Sequence, residues 1–222
     1  MNTMRRTLGD RFIMEQYRKR SARKYRKAGI VFIHIPKAAG TSVCDSLYHG
    51  RVGHFTLAEM RQHQSGKSAN THSTDQSDID GLPTFSVVRD PLARLYSSYC
   101  YARDGGGSKG SINPDPAYQS KAFRSFSAFL SEWLIEQELT SLDRVFWPQY
   151  RFVEDTRGTV DFIGKVEDMA HVQQWLRSTV SETLEIPHLN CARTQDTQPV
   201  HESDRSIVKE LYREDYEAFD YA

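Results

Sequence analysis

Gly29-Ile30-Val31-Phe32-Ile33-His34-Ile35-Pro36-Lys37-Ala38-Ala39-Gly40-Thr41-Ser42-Val43 is the stretch on which the reading of the fold turns. It opens with an apolar run rich in β-branched residues, the pattern of a buried strand. Pro36 has no N–H to give to a ladder, so the strand ends by that point. Lys37-Ala38-Ala39-Gly40 then supplies small residues and one cation. Thr41 or Ser42 is expected to cap a helix running through Val43-Cys44-Asp45-Ser46-Leu47-Tyr48. Strand, tight loop and helix N-terminus form an anion-binding arrangement, because free N–H groups and the positive helix end converge. Lys37 adds a mobile positive charge. The pattern is not a Walker A loop, in which the lysine follows the glycine. A plain strand-to-helix turn with a solvated lysine has the same local pattern.

A second block, Phe85-Ser86-Val87-Val88-Arg89-Asp90-Pro91-Leu92-Ala93-Arg94-Leu95-Tyr96-Ser97-Ser98-Tyr99, reads as another strand followed by a helix. Asp90-Pro91 ends the strand, and Pro91 suits a helix's first turn. Ser97 lies eight residues after Arg89, about two helical turns. A planar guanidinium at a strand end and a hydroxyl on the next helix can reach one phosphate from two sides. Arg94 and Tyr99 read either as support for that contact or as a surface pair.

Residues 34–42 resemble the 5′-phosphosulfate loop of the sulfotransferases that use 3′-phosphoadenosine 5′-phosphosulfate (PAPS). The nearest resemblance is to the family of heparan and chondroitin sulfotransferases and their bacterial relatives. The block at 85–99 resembles that family's 3′-phosphate motif. Ile186-Pro187-His188-Leu189-Asn190-Cys191-Ala192-Arg193-Thr194 resembles its Pro-x-x-Asn segment, which leads into a loop closing over the nucleotide. Arg193 is the contact candidate there, with an ordinary basic loop as the alternative. Tyr212-Arg213-Glu214-Asp215-Tyr216-Glu217 resembles the family's terminal segment.

The resemblance implies a P-loop-NTPase-like α/β fold in three layers, with a central, mostly parallel sheet flanked by helices. It implies sulfuryl transfer from PAPS to an acceptor hydroxyl, releasing adenosine 3′,5′-bisphosphate. Pro36, Lys37, Ala38, Ala39, Gly40, Thr41 and Ser42 would form the phosphosulfate loop, with Lys37 stabilising the departing oxygen. Arg89 and Ser97 would hold the 3′-phosphate, and Arg193 would close over the nucleotide. The family's usual acceptor is a glycan hydroxyl, and no metal is required. His54, in a Gly-His segment like one that supplies the family's base, is the first choice for the base. A histidine that only bonds backbone at a turn is the alternative, and His34 is second choice.

At 222 residues, 38 % apolar and 26 % charged, the chain fits one domain with a real core. The expected division is a basic helical arm over 1–28 and a single domain over 29–222. A formal net charge of zero gives no general attraction to nucleic acid. Cations nevertheless crowd the N-terminus: Arg5, Arg6, Arg11, Arg18, Lys19, Arg20, Arg23, Lys24, Arg26 and Lys27, against Asp10 and Glu15. Residues 7–28 read as a helix with Leu8, Phe12, Ile13 and Tyr17 near one face. It could lie on an anionic membrane or polysaccharide, or be an arm packed by its apolar stripe. No run approaches the roughly 20 apolar residues that span a bilayer, and no signal-peptide core is visible. The expectation is a soluble, cytoplasmic, bacterial-type enzyme. Cys44, Cys100 and Cys191 lack metal spacing and read as free thiols.

Further along, glycines mark turns around a short strand in 48–56, and Thr56 or its predecessor can cap a helix with Leu57 and Met60. His54 sits at that turn. Residues 64–81 form a polar stretch, either a lid or a plain insertion. Phe126, Phe129, Leu130, Trp133 and Leu134 predict a core-facing helix over 123–138. The aromatic segment at 145–150 suits core packing or ring stacking. A third strand at 160–167 leads into a helix capped by Asp168, and a last helix spans 204–217. Alternating strands and helices predict a mostly parallel sheet with its ligand beyond the strands' carboxyl ends. Two other readings remain: a P-loop-like kinase needing magnesium and ATP, and a non-catalytic module for anionic polymers.

Overall fold

The computed structural model describes residues 8–62, 79–107, 110–112, 115–187 and 200–222. Arg193, Cys191 and nearly all of the polar stretch at 64–81 lie outside the described residues. In chain order the elements are α1 (Leu8–Ala28), β1 (Val31–Ile33), α2 (Gly40–Tyr48), α3 (Leu57–Gln62), β2 (Thr84–Val88) and α4 (Pro91–Arg103). Then come β3 (Gly106–Gly107), β4 (Gly110–Ser111), α5 (Phe126–Glu132), α6 (Tyr150–Val153), β5 (Glu154–Asp155), β6 (Gly158–Thr159) and β7 (Phe162–Lys165). The chain ends in α7 (Met169–Thr179), α8 (Glu202–Leu211) and α9 (Arg213–Ala218). Two compact units result: one takes α1 to Ile35, Ala39 to β2, and Arg151 through α7; the other takes residues 36–38, Arg89 to Tyr150, and α8 with α9.

The first unit is built on a parallel sheet in the order β1-β2-β7. Val31 pairs with Thr84 and Ile33 with Ser86; Phe85 pairs with Phe162 and Val88 with Lys165. Every residue of β1 and β2 is buried, as a parallel sheet covered by helices requires. The expected α/β architecture is therefore present. Asp161 fixes the start of β2 by accepting from both the N–H and the hydroxyl of Thr84, each at 2.7 Å. On α7, Trp175 stacks on Phe162 at 4.5 Å and lies against Phe85 at 5.5 Å. Asp168 caps that helix by accepting from the His171 N–H.

Helix α1 docks through Ser21, Ala22 and Tyr25, all buried. The Tyr25 hydroxyl donates to the Phe32 carbonyl at 2.9 Å. Of the apolar residues expected to pack this helix, Phe12 is 64 % and Ile13 65 % exposed, while Tyr17 sets its ring edge-on to Phe55 at 5.9 Å. The docking face is set by the three-to-four spacing of 21, 22 and 25, one turn or more beyond the apolar pair.

The second unit surrounds an aromatic cluster that includes Tyr99, Phe123, Phe126, Phe129 and Phe146. Burying each such ring contributes about 1.5–3 kcal/mol. Asp90 caps α4 by accepting from the Ala93 N–H at 2.8 Å, and Pro91 stands at its start. The helix expected over 123–138 is shorter. Ser125 is extended (φ −148) and caps α5, while residues 121–124 and 134–136 are 3-10 turns. The final helix expected over 204–217 breaks at Tyr212. Tyr212 and Asp215 are both fully buried, and the Tyr212 hydroxyl donates to the Phe146 carbonyl at 2.7 Å.

Candidate functional site

In the first unit, β1 stops at Ile33, so His34 stands just past the strand rather than within it. The loop that follows is locally strained. Lys37 (φ 67) and Ala39 (φ 54) are both left-handed, a conformation that costs a non-glycine residue about 1–2 kcal/mol. Such strain gathers at ligand sites, where fixed backbone geometry matters. Helix α2 starts at Gly40 with Ala39 in the cap position and no side-chain cap. Thr41 and Ser42 are therefore inside the first turn and do not cap it. The reason is the left-handed Ala39, which starts the helix earlier than the hydroxyls would.

Gly40 is dictated by His34. A Cβ on Gly40 would lie 2.0 Å from Cδ2 of the His34 ring, so any side chain there displaces the imidazole. That ring is buried, with its Nδ1 3.8 Å from Sγ of Cys44. Burial holds its pKa well below the ordinary histidine value, and the nearby His54 lowers it further. His34 is thus neutral near pH 7. Burial also pushes the Cys44 thiol up to about 11, which leaves it unreactive.

His54 is exposed and precedes α3 in irregular chain rather than beside a strand. Thr56 and Glu59 close a reciprocal cap on that helix: the Thr56 N–H donates to Glu59 Oε2 at 2.9 Å, and the Glu59 N–H donates to Thr56 Oγ1 at 3.1 Å. The His54 Nδ1 lies 2.9 Å from the His34 carbonyl oxygen. A carbonyl only accepts, so Nδ1 is the protonated nitrogen and the neutral ring keeps its lone pair on Nε2. The two rings are 4.2 Å apart at their centroids.

The second unit holds the cationic part. Lys37 places its ammonium 4.5 Å from the centroid of the Tyr101 ring, a cation–π contact. Burial and then the Arg89 guanidinium lower its pKa from the ordinary lysine value. Arg89 Nη1 reaches the Lys37 carbonyl at 3.5 Å. Ser97 is half-buried on α4; its neighbour Ser98 is fully buried and donates to the Arg94 and Val145 carbonyls. Arg94 is not at the surface. It is buried and donates to the carbonyls of Pro36 at 3.0 Å, Trp147 at 2.9 Å and Val145 at 3.3 Å. Tyr99 is buried too, its hydroxyl on the Phe123 carbonyl at 3.0 Å. Tyr101 and Gln149, the latter bonded to the Arg89 backbone, carry no motif by which the sequence would single them out. Among the described residues no group of three or more His, Cys, Asp or Glu side chains could hold a metal.

The family model for the Sulfotransferase family matches residues 22–222. The chain belongs to the sulfotransferase family. Membership makes it a transferase that moves sulfuryl groups. No curated protein and no solved structure matches the chain. The matched span of this sulfotransferase contains every residue assigned above to the loop, the cationic group and the two histidines.

Proposed function

We propose that the enzyme transfers the sulfuryl group of PAPS to a hydroxyl of a carbohydrate acceptor. The observation that carries the reading is the loop at 37–40: two left-handed non-glycine residues lead into a helix with no side-chain cap. Backbone N–H groups of Ala39, Gly40, Thr41 and Ser42 would receive the 5′-phosphosulfate. The acceptor oxygen attacks sulfur in line, and the S–O bond to the 5′-phosphate breaks. The electron pair leaves on the phosphate oxygen, where Lys37 neutralises it. The chemistry parallels phosphoryl transfer, so positioning and electrostatics supply the acceleration. Arg89 and Ser97 would hold the 3′-phosphate, Arg193 would close over the nucleotide, and His54 would take the acceptor's proton.

Nucleotide choice tests this directly. Adenosine 3′,5′-bisphosphate is expected to raise the melting temperature, and adenosine 5′-monophosphate to raise it far less. Equal shifts from both, or a shift from ATP with magnesium alone, would remove the reading and favour a kinase.

No described helix is long and apolar enough to cross a membrane, and the reading places the enzyme in the cytoplasm. Helix α1 suits peripheral contact with an anionic lipid surface. Phe12, Ile13, Gln16, Arg20, Arg23 and Lys27 are all exposed, and at 3.6 residues per turn they share a sector of roughly 100°. Two large apolar side chains at one end of a cationic face fit a lipid headgroup layer better than a polysaccharide. Vesicles containing phosphatidylglycerol should retain the protein at low salt, and Phe12→Ser with Ile13→Ser should release it. Retention by heparin but not by vesicles would assign the face to a polymer instead.

A further inference from the structure

The residue assigned to the 3′-phosphate is held in an unusual way. Arg89 stands between the last residue of β2 and Asp90, the cap of α4. Its pairing partners in a ladder are therefore gone. One side chain replaces them: Gln149 Oε1 accepts from the Arg89 N–H at 3.0 Å, and Gln149 Nε2 donates to the Arg89 carbonyl at 2.8 Å. Gln149 is fully buried. It uses its carboxamide as a neighbouring strand uses a peptide group, satisfying both main-chain groups of one residue.

Gln149 is fixed in turn. Its N–H donates to Asp215 Oδ2 at 2.8 Å, and the Tyr150 N–H donates to Asp215 Oδ1 at 2.9 Å. Asp215 is fully buried on α9. Burial raises its pKa, while the Arg94 charge and the bonds from Gln149 and Tyr150 pull it down. Arg94 holds the same segment from the carbonyl side, at Val145 and Trp147. A buried cation and a buried carboxylate thus grip residues 145–150, and the carboxamide of that segment grips Arg89.

We propose that Gln149, seated by Asp215, is a positioning residue that aims the Arg89 guanidinium and so sets recognition of the ligand's 3′-phosphate. The inference rests on the PAPS reading above. A guanidinium recognises phosphate through a planar fork, and a fork is sensitive to the direction in which its side chain leaves the backbone. Clamping both the N–H and the carbonyl of Arg89 fixes that direction. A role in folding alone would make no distinction between ligands with and without a 3′-phosphate.

The readout is therefore a ratio: affinity for adenosine 3′,5′-bisphosphate over affinity for adenosine 5′-monophosphate, by calorimetry. Gln149→Met keeps the length of the side chain and removes both hydrogen bonds. It should reduce the ratio by about tenfold, the effect of roughly 1.4 kcal/mol, with less change in the monophosphate term. Gln149→Glu supplies the decisive control. When protonated, its carboxyl has one donor and one acceptor, like the carboxamide; when ionised, it faces the Arg89 carbonyl with no donor. Of the groups that bear charge, Arg89 and Asp215 are bonded to Gln149, and Arg94 acts on Asp215.

The ratio for Gln149→Glu, divided by the wild-type ratio at the same pH, should recover as pH falls from 8 to 5 and the carboxyl takes up its proton. Recovery under acid is not expected of a protein that has merely lost packing. Two results would overturn the proposal while leaving the PAPS reading intact. One is a wild-type ratio in Gln149→Met; the other is equal loss of both nucleotides in Gln149→Glu at every pH. Should Gln149→Met not fold, the Gln149→Glu series decides alone. A wild-type enzyme that binds both nucleotides equally would instead sink the PAPS reading itself.

Discussion

A Lys37→Ala enzyme is expected to turn over about 10²–10³-fold more slowly, the usual loss when one donor to a developing oxyanion is removed. Its affinity for adenosine 3′,5′-bisphosphate should fall much less. Lys37 is assigned to charge that grows on the leaving oxygen, so its contribution is larger in the transition state than in either bound ground state. The substitution is structurally mild. Position 37 is left-handed, and alanine and lysine bear that conformation at similar cost. The contact from Arg89 goes to the Lys37 carbonyl, which alanine retains. The protonation state gives a second handle. Burial and Arg89 lower the Lys37 pKa, and the ammonium must be charged to act. Turnover should therefore decline as pH rises through that lowered value, earlier than an ordinary lysine near 10.4 would allow. Single-turnover rates beside product affinity check the split. Wild-type turnover in Lys37→Ala, or a loss of product binding as large as the loss of rate, would refute the assignment.

The parts of this fold that were legible in the sequence are those whose signal is local. The apolar run before Pro36 and the run at 84–88 become β1 and β2, Pro91 opens α4, and Asp168 and Thr56 cap the helices they precede. What failed locally failed for a tertiary reason. Thr41 and Ser42 are good caps by propensity, yet the left-handed Ala39 starts the helix ahead of them. Phe12 and Ile13 look like a packing stripe, yet small Ser21 and Ala22 let α1 approach its neighbours instead. Arg94 reads either as support for the phosphate contact or as half of a surface pair, and Asp215 carries no role of its own in the sequence. Their burial appears only when Pro36, Trp147 and Gln149 converge on them from distant parts of the chain. A hydrogen bond between residues more than 50 apart leaves no periodic trace.

Removing the His54 imidazole is the second large effect expected. His54→Ala should lose about 10²-fold or more in turnover, the usual contribution of a general base, while still binding the bisphosphate. The geometry behind this is the bond between His54 Nδ1 and the His34 carbonyl. It fixes the proton on Nδ1 and leaves the lone pair on Nε2, on a ring that is exposed. An acceptor hydroxyl has a high pKa, so its attack at neutral pH needs such a lone pair aimed at it. Acid that protonates this lone pair removes the base, so turnover should fall on the acid side. His34 can imitate this limb by another route. Its pKa is depressed by burial, so the unfolded chain binds its proton first as pH falls below about 6.5, and stability is lost in that direction. Circular dichroism at each pH separates the two: a catalytic limb appears while the fold is intact. His34→Ala should lower the melting temperature, because it opens a cavity against Gly40 and Phe32. Should His54→Ala keep both its rate and its acid limb, the base lies elsewhere, and Glu59 would be the next carboxylate to replace.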